Sequence, residues 1–116
     1  MTVIEAKLTR DTETFSKMDP YCKISTGAQN FRTETKDGAG KTPVWDETFT
    51  FEVENMEDEM KVIVCEADIV NDDEIGQFDI KLQELCADAG VDEWYTILWK
   101  GKSAGKVHLK TTWTPN

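Results

Sequence analysis

Apolar residues in this chain recur at every second position, most strictly over 47–53 (ETFTFEV), where Phe49, Phe51 and Val53 alternate with Thr48, Thr50 and Glu52. Successive side chains of an extended strand point to opposite faces, so a period of two predicts a strand with one face on a core and the other in water. Half-buried strands of this kind belong to antiparallel sheets. The same reading predicts strands near 2–8 (Ile4, Ala6 and Leu8 inward), 20–26 (Cys22 and Ile24 inward), 30–36, 61–66, 75–82 (Phe78, Ile80 and Leu82 inward), 94–99 and 106–113. Eight short strands in 116 residues, separated by turn signals such as Asp37-Gly38, Asn71-Asp72 and Gly101, point to a β-sandwich. Only 82–89 (LQELCADA) carries helical spacing, at Leu82, Leu85, Cys86 and Ala89. The expected architecture is an all-β, eight-stranded antiparallel β-sandwich with one short helix on a connection, folded as a single domain over 1–116.

A chain of this length buries roughly two-thirds of the surface that its unfolded form exposes, enough to fold without staples. Four Trp, five Phe and two Tyr are more apolar bulk than a disordered segment carries. Thirteen basic against 23 acidic side chains leave a formal charge of -10, a surface that repels nucleic acid and, without help, anionic lipid. The three cysteines, Cys22, Cys65 and Cys86, are odd in number and lack the paired spacing of a zinc site. They are expected as free thiols in a reducing, cytoplasmic compartment. The longest unbroken aliphatic run covers only 62–64, and Glu5, Asp11, Glu13 and Asp19 fall in the first twenty residues, so neither a signal peptide nor a membrane helix is expected.

Eight carboxylates fall in two windows, 11–19 (DTETFSKMD) and 66–74 (EADIVNDDE), each at the end of a strand-like run. Carboxylates held close repel one another, and a hard multivalent cation with oxygen ligands relieves that strain, calcium being the usual occupant. The competing reading is a solvated acidic surface. Phe15, Met18, Ile69 and Val70 lie among these acids with no obvious core to enter. Either Phe15 and Ile69 pack on each other to close the loops, or these residues form exposed apolar tips, which mark an interaction surface. No nucleophile elbow, phosphate loop or Cys-His pair is present, and a sandwich this small has little room for a small-molecule substrate, so no catalysis is expected. His108 is predicted on the surface, with no paired partner in the sequence that would suggest a base or a metal ligand.

Three segments resemble one family in its order and spacing. The run 16–24 (SKMDPYCKI) is similar to the SDPYVKV signature of the C2 domain, 40–51 (GKTPVWDETFTF) to that family's NPVWNETFxF segment, and 62–68 with 73–76 (VIVCEAD, DEIG) to its third loop. The resemblance covers the whole chain and implies a C2-like sandwich of type II topology, with an eighth strand at 107–113. It also implies calcium ligands. Asp19 stands at the bridging Asp of the first loop, and Glu13 stands where another Asp is usual, with Asp11 as a nearby substitute. In the third loop Asp68 and Asp73 match ligand positions and Glu66 replaces the first Asp. That loop is one residue shorter than the commonest form, so Asp72 or Glu74 could take the role given to Asp73. The two Glu replacements and the shortened loop imply fewer ions, or weaker binding, than in the best-known members.

The function implied is a calcium-binding module that docks on anionic phospholipid membranes through loops 11–19 and 66–74, peripheral to the membrane, with Phe15, Met18, Ile69 and Val70 as its contacts. The alternative is a calcium-independent protein–protein interaction module, a subunit or adaptor of a larger assembly, in which the Glu replacements record a degenerate site. Neither nucleic acid nor a small-molecule substrate is an expected partner.

Overall fold

The structure, a computed structural model, describes residues 1–13 and 16–115. Eight strands follow in order: β1 (Thr2–Leu8), β2 (Pro20–Thr26), β3 (Gln29–Arg32), β4 (Val44–Thr48), β5 (Glu59–Glu66), β6 (Asp73–Lys81), β7 (Asp92–Trp99) and β8 (Lys102–Lys110). All pairings are antiparallel, in the order β3-β2-β5-β6-β7-β8-β1-β4. The join between β6 and β7 is a single registered pair, Gln77↔Leu98, so the sheet curls there into two four-stranded halves. Both halves supply one core: Cys22, Ile24, Val62, Val64, Ile75 and Ile80 from one, Val3, Ala6, Trp45, Ile97, Val107 and Leu109 from the other. A sandwich built this way buries alternate residues of each strand and leaves the connections at its two ends.

The ends can be told apart from strand polarity. β1 runs into 9–19, β5 runs into 67–72, and the β7–β8 hairpin turns at Lys100 and Gly101, all at one end, because Leu8 pairs with Gly105 and Trp99 with Lys102. The two acidic windows are thus brought together by topology. Lys100 (φ 50) and Gly101 (φ 80) are both left-handed, the two-residue turn whose twist matches that of the flanking strands. Gly105 (φ 131) is held against β1, and a Cβ there would meet the backbone of Lys7 and the Leu8 Cα at 2.6 Å.

Several expectations shift in detail. Ile4 was expected inward with Ala6 and Leu8, but β1 bulges between Val3 and Glu5, so Val3 is buried in phase with Ala6 and Ile4 is only half-buried. One extra residue reverses the facing of everything before it. The strictly alternating 47–53 enters a ladder only at Glu47 and Thr48, because β1 pairs no further than Thr2↔Thr48, extended by the mutual bonds of Met1 and Phe49. Its alternation survives without a ladder: Phe49, Phe51 and Val53 pack on the core while Thr50 and Glu52 face water. The predicted helix over 82–89 is α1 (Leu82–Leu85) followed by a separate 3-10 turn (Ala87–Ala89), since Asp88 (φ 52) is left-handed and breaks the continuation. His108, expected on the surface, is half-buried: its ring stacks on Trp94 at 4.8 Å between centroids and meets the Asp92 carboxylate.

Candidate metal centre

The carboxylates of Glu13, Glu66 and Asp68 converge, with one oxygen from each within 4.8 Å of the others. Glu66 is the last residue of β5 and is 1% exposed, whereas Asp68 stands in water at the loop that follows. A buried carboxylate must find donors. Glu66 has two: the Thr12 hydroxyl donates to Oε1 at 2.7 Å and the Asp19 backbone N–H to Oε2 at 3.2 Å. These bonds tie the first loop to the third, and the Ala67 N–H adds a third tie by donating to the Asp19 carbonyl at 3.0 Å. Glu13 is aimed inward by a turn in which the Asp11 carboxylate accepts its N–H at 2.9 Å. Its carboxyl is raised above the ordinary glutamate value, first by a hydrogen bond with the Glu66 carboxyl and then by Glu66's charge. That rise is the expected sign of like charges crowded together.

Two other expected ligands lie beside this group rather than in it. Asp19 is attached through its backbone, and its Oδ1 accepts the Gly38 N–H at 2.7 Å. Asp73 opens β6 directly across the ladder from Glu66, on the same side of the sheet. The alternatives to Asp73 are engaged elsewhere. Asp72 accepts the Tyr21 hydroxyl and the Asp68 N–H, which hold its carboxyl below the usual range, and the Glu74 carboxylate accepts the Gln77 amide at 3.1 and 3.2 Å. Burial, followed by the bond to Asp72, pushes the Tyr21 hydroxyl up. Thr12 and Tyr21 are the positioning residues that sequence reasoning missed. A hydroxyl between Asp11 and Glu13 carries no signal of its own, and the reach of Tyr21 across to 72 exists only once β2 and β5 are paired.

The expected apolar tips divide. Ile69 is 100% exposed and Val70 83%. Met18 was expected at a tip and is instead 0% exposed, a correction with a clear cause: it immediately precedes the Asp19-Pro20 step into β2, its carbonyl accepts the Gly40 N–H, and its thioether enters the core and takes the Thr12 N–H at 3.4 Å. Phe15 lies outside the described residues.

All the converging donors are carboxylate oxygens, without nitrogen or sulfur, and one of them is withdrawn from water beside two others. That set fits a hard divalent cation such as calcium. Among the described residues, no helix is long and apolar enough to cross a membrane.

Known proteins share both sequence and fold with this chain. It is 33% identical over 98 residues to human extended synaptotagmin-3, covering 84% of this chain and 11% of that protein. It is 25% identical over 116 residues to 16 kDa phloem protein 2 of Arabidopsis thaliana, covering 98% of this chain and 79% of that protein. A calcium-bound structure of the two tandem C2 domains of extended synaptotagmin 2 superimposes with a TM-score of 0.84 at 28% identity, over 97% of this chain and 43% of that one. The chain therefore spans about a tenth of extended synaptotagmin-3 and most of the phloem protein. The family model of the C2 domain matches residues 1–97, and the chain belongs to that family.

Proposed function

We propose that this C2 domain binds calcium between its first and third loops and, so loaded, docks on anionic phospholipid membranes. The observation that carries the reading is the convergence of Glu13, Glu66 and Asp68 within 4.8 Å around a buried carboxylate. Glu13, Glu66 and Asp68 would hold the ion, with Asp19 and Asp73 at its margin. Bound there, the cation supplies positive charge to an acidic rim and coordination positions to a lipid phosphate. The chain's own residues do the rest. Thr12 and the Asp19 N–H orient Glu66, and the Asp11 turn holds Glu13 toward it. Tyr21 and Asp72 brace the third loop, so Ile69 and Val70 project from a supported base into whatever covers that end. Apolar side chains flanked by neutralised charge enter the headgroup region with favourable burial. The calcium-bound relative among the solved structures is consistent with such a site.

Sedimentation with phosphatidylserine vesicles tests the reading. The protein, with a formal charge of -10, should stay in solution in chelator and move to the pellet in calcium. No calcium-dependent pelleting would remove membranes as its target. One observation favours the second reading, a calcium-independent protein-binding module. Glu66 and Asp72 already have protein donors for their carboxylates, so the loops are partly satisfied without an ion.

A further inference from the structure

Beside the acidic loops, at the same end of the sandwich, two cations lie over one indole and a third lines the same cleft. The Arg10 guanidinium lies 4.2 Å from the centroid of the Trp99 ring and the Lys100 ammonium 5.2 Å from it. Lys102 is the cross-strand partner of Trp99. With Ser103 these residues line a shallow cleft of about 380 Å³. None of the three cations lies within ion-pair distance of a carboxylate among the described residues, whereas Lys36, Lys61 and Lys81 each do. Leu98, just before the cleft, is 45% exposed.

The cleft is held firmly and close to the loops. The Thr9 and Arg10 N–H groups both donate to the Ala104 carbonyl, at 2.9 and 3.3 Å, which pins the start of the first loop to β8. The Arg10 guanidinium also donates to the Glu74 carbonyl at 3.1 Å, at the base of the third loop. The two left-handed residues, Lys100 and Gly101, make the hairpin a tight turn rather than a floppy one. Cations stacked on an indole with an exposed leucine alongside match the water–lipid boundary, where aromatic rings sit at headgroup level and basic side chains reach phosphate. A chain of charge -10 with one local group of three cations suits a flat anionic surface met end-on, and not a polyanion that wraps many phosphates.

We propose that Arg10, Lys100 and Lys102, which line one cleft with Trp99 at the end of the fold that carries the acidic loops, form a second membrane contact that takes the phosphate of an anionic phospholipid headgroup. The proposal rests on the docking reading above and adds a contact that does not use the metal. Two separated contacts at one end fix how the domain tilts on the bilayer, which a single metal site does not.

The test is vesicle sedimentation in calcium, with mixed phosphatidylcholine and phosphatidylserine, of the parent chain and Lys100→Gln/Lys102→Gln. A cation near an anionic surface contributes about a fivefold gain in affinity, so the double variant should bind about 25-fold more weakly. Its calcium affinity without lipid and its thermal midpoint should match the parent's, and Lys100→Arg/Lys102→Arg should restore binding. Lys61→Gln/Lys81→Gln, which removes the same charge near the opposite end, should bind like the parent. Undiminished binding of the hairpin variant, with the parent still pelleting, overturns this contact and leaves the docking reading intact. An equal loss in the Lys61/Lys81 control overturns it in favour of diffuse charge, and a parallel loss of lipid-free calcium affinity overturns it in favour of an effect through the loops. A parent chain that does not pellet in calcium overturns both the contact and the docking reading.

Discussion

Asp68→Asn isolates the charge crowding on which the metal site depends. The substitution keeps the side-chain volume and the Oδ1 that accepts the Ile69 N–H, and removes one negative charge from a group whose oxygens lie within 4.8 Å. At that separation two unit charges repel by about 1 kcal/mol in water and about 3.5 kcal/mol at an effective dielectric of 20. Asp68 is exposed, so the lower value applies. Without calcium the variant should therefore be more stable than the parent by about 1 kcal/mol, a rise of about 4 °C in unfolding midpoint for a domain of this size. With calcium the order reverses. At a hundredfold excess over its dissociation constant a ligand stabilises by about 2.7 kcal/mol, roughly 11 °C here, and the variant should lose most of that gain. Thermal unfolding followed by circular dichroism, in chelator and in calcium, reads both effects on one pair of samples. A variant whose chelator midpoint is unchanged and whose calcium gain is intact would refute the claim that Asp68 shares a crowded site.

Other outcomes follow from the same geometry. Ile69→Ser/Val70→Ser should weaken calcium-dependent vesicle binding by about 1 to 3 kcal/mol, the value of two aliphatic side chains partly buried in the headgroup region, with lipid-free calcium affinity unaltered; undiminished vesicle binding would leave phosphate contacts alone as the anchor. Because the Glu13 carboxyl is raised in the folded state, first by Glu66, its contribution to stability is full below the ordinary glutamate value and is lost as pH rises through the raised one. Glu13→Gln should thus flatten the fall in chelator midpoint between mildly acidic and neutral pH, and an identical pH profile in the two proteins would contradict the coupling. Gly105→Ala should destabilise by about 3 kcal/mol or more, since its Cβ would be driven into the β1 backbone at a left-handed position, and a chemical-denaturation curve matching the parent's would show that β1 and β8 can part without cost.

Period and spacing were enough to place most strands, because half-buried antiparallel strands write their facing into alternate residues. The failures have local causes. A bulge at Ile4 reverses facing without leaving a mark in composition, and 49–53 alternates as a strand does although, among the described residues, its backbone bonds only Met1 and the side-chain amide of Gln29. At the site, the two acidic windows pointed to one cation site and the family resemblance to Glu13, Asp19, Glu66, Asp68 and Asp73 as ligands; topology joins the two loops, and Glu13, Glu66 and Asp68 are the three whose carboxylates converge. What the windows could not say is which acids turn inward. Asp72 looks no different from Asp73 in the run Asn71-Asp72-Asp73-Glu74, and it is the Tyr21 hydroxyl, brought across by β2, with the Asp68 N–H, that draws Asp72 aside. Met18 is a similar case. An apolar residue among acids reads as a tip until the entry into β2 turns it into the core.

Titration calorimetry of calcium into the chelator-stripped chain, without lipid, addresses the metal site with no membrane in the system. A saturable heat that magnesium does not reproduce, abolished by Asp68→Asn and retained by Glu52→Gln on the outward side of 49–53, is the expected result, since a flexible all-oxygen site suits calcium better than the smaller ion. A chain that takes up no calcium at millimolar concentration, or that binds it equally well after Asp68→Asn, would contradict the assignment of Glu13, Glu66 and Asp68 as a calcium site.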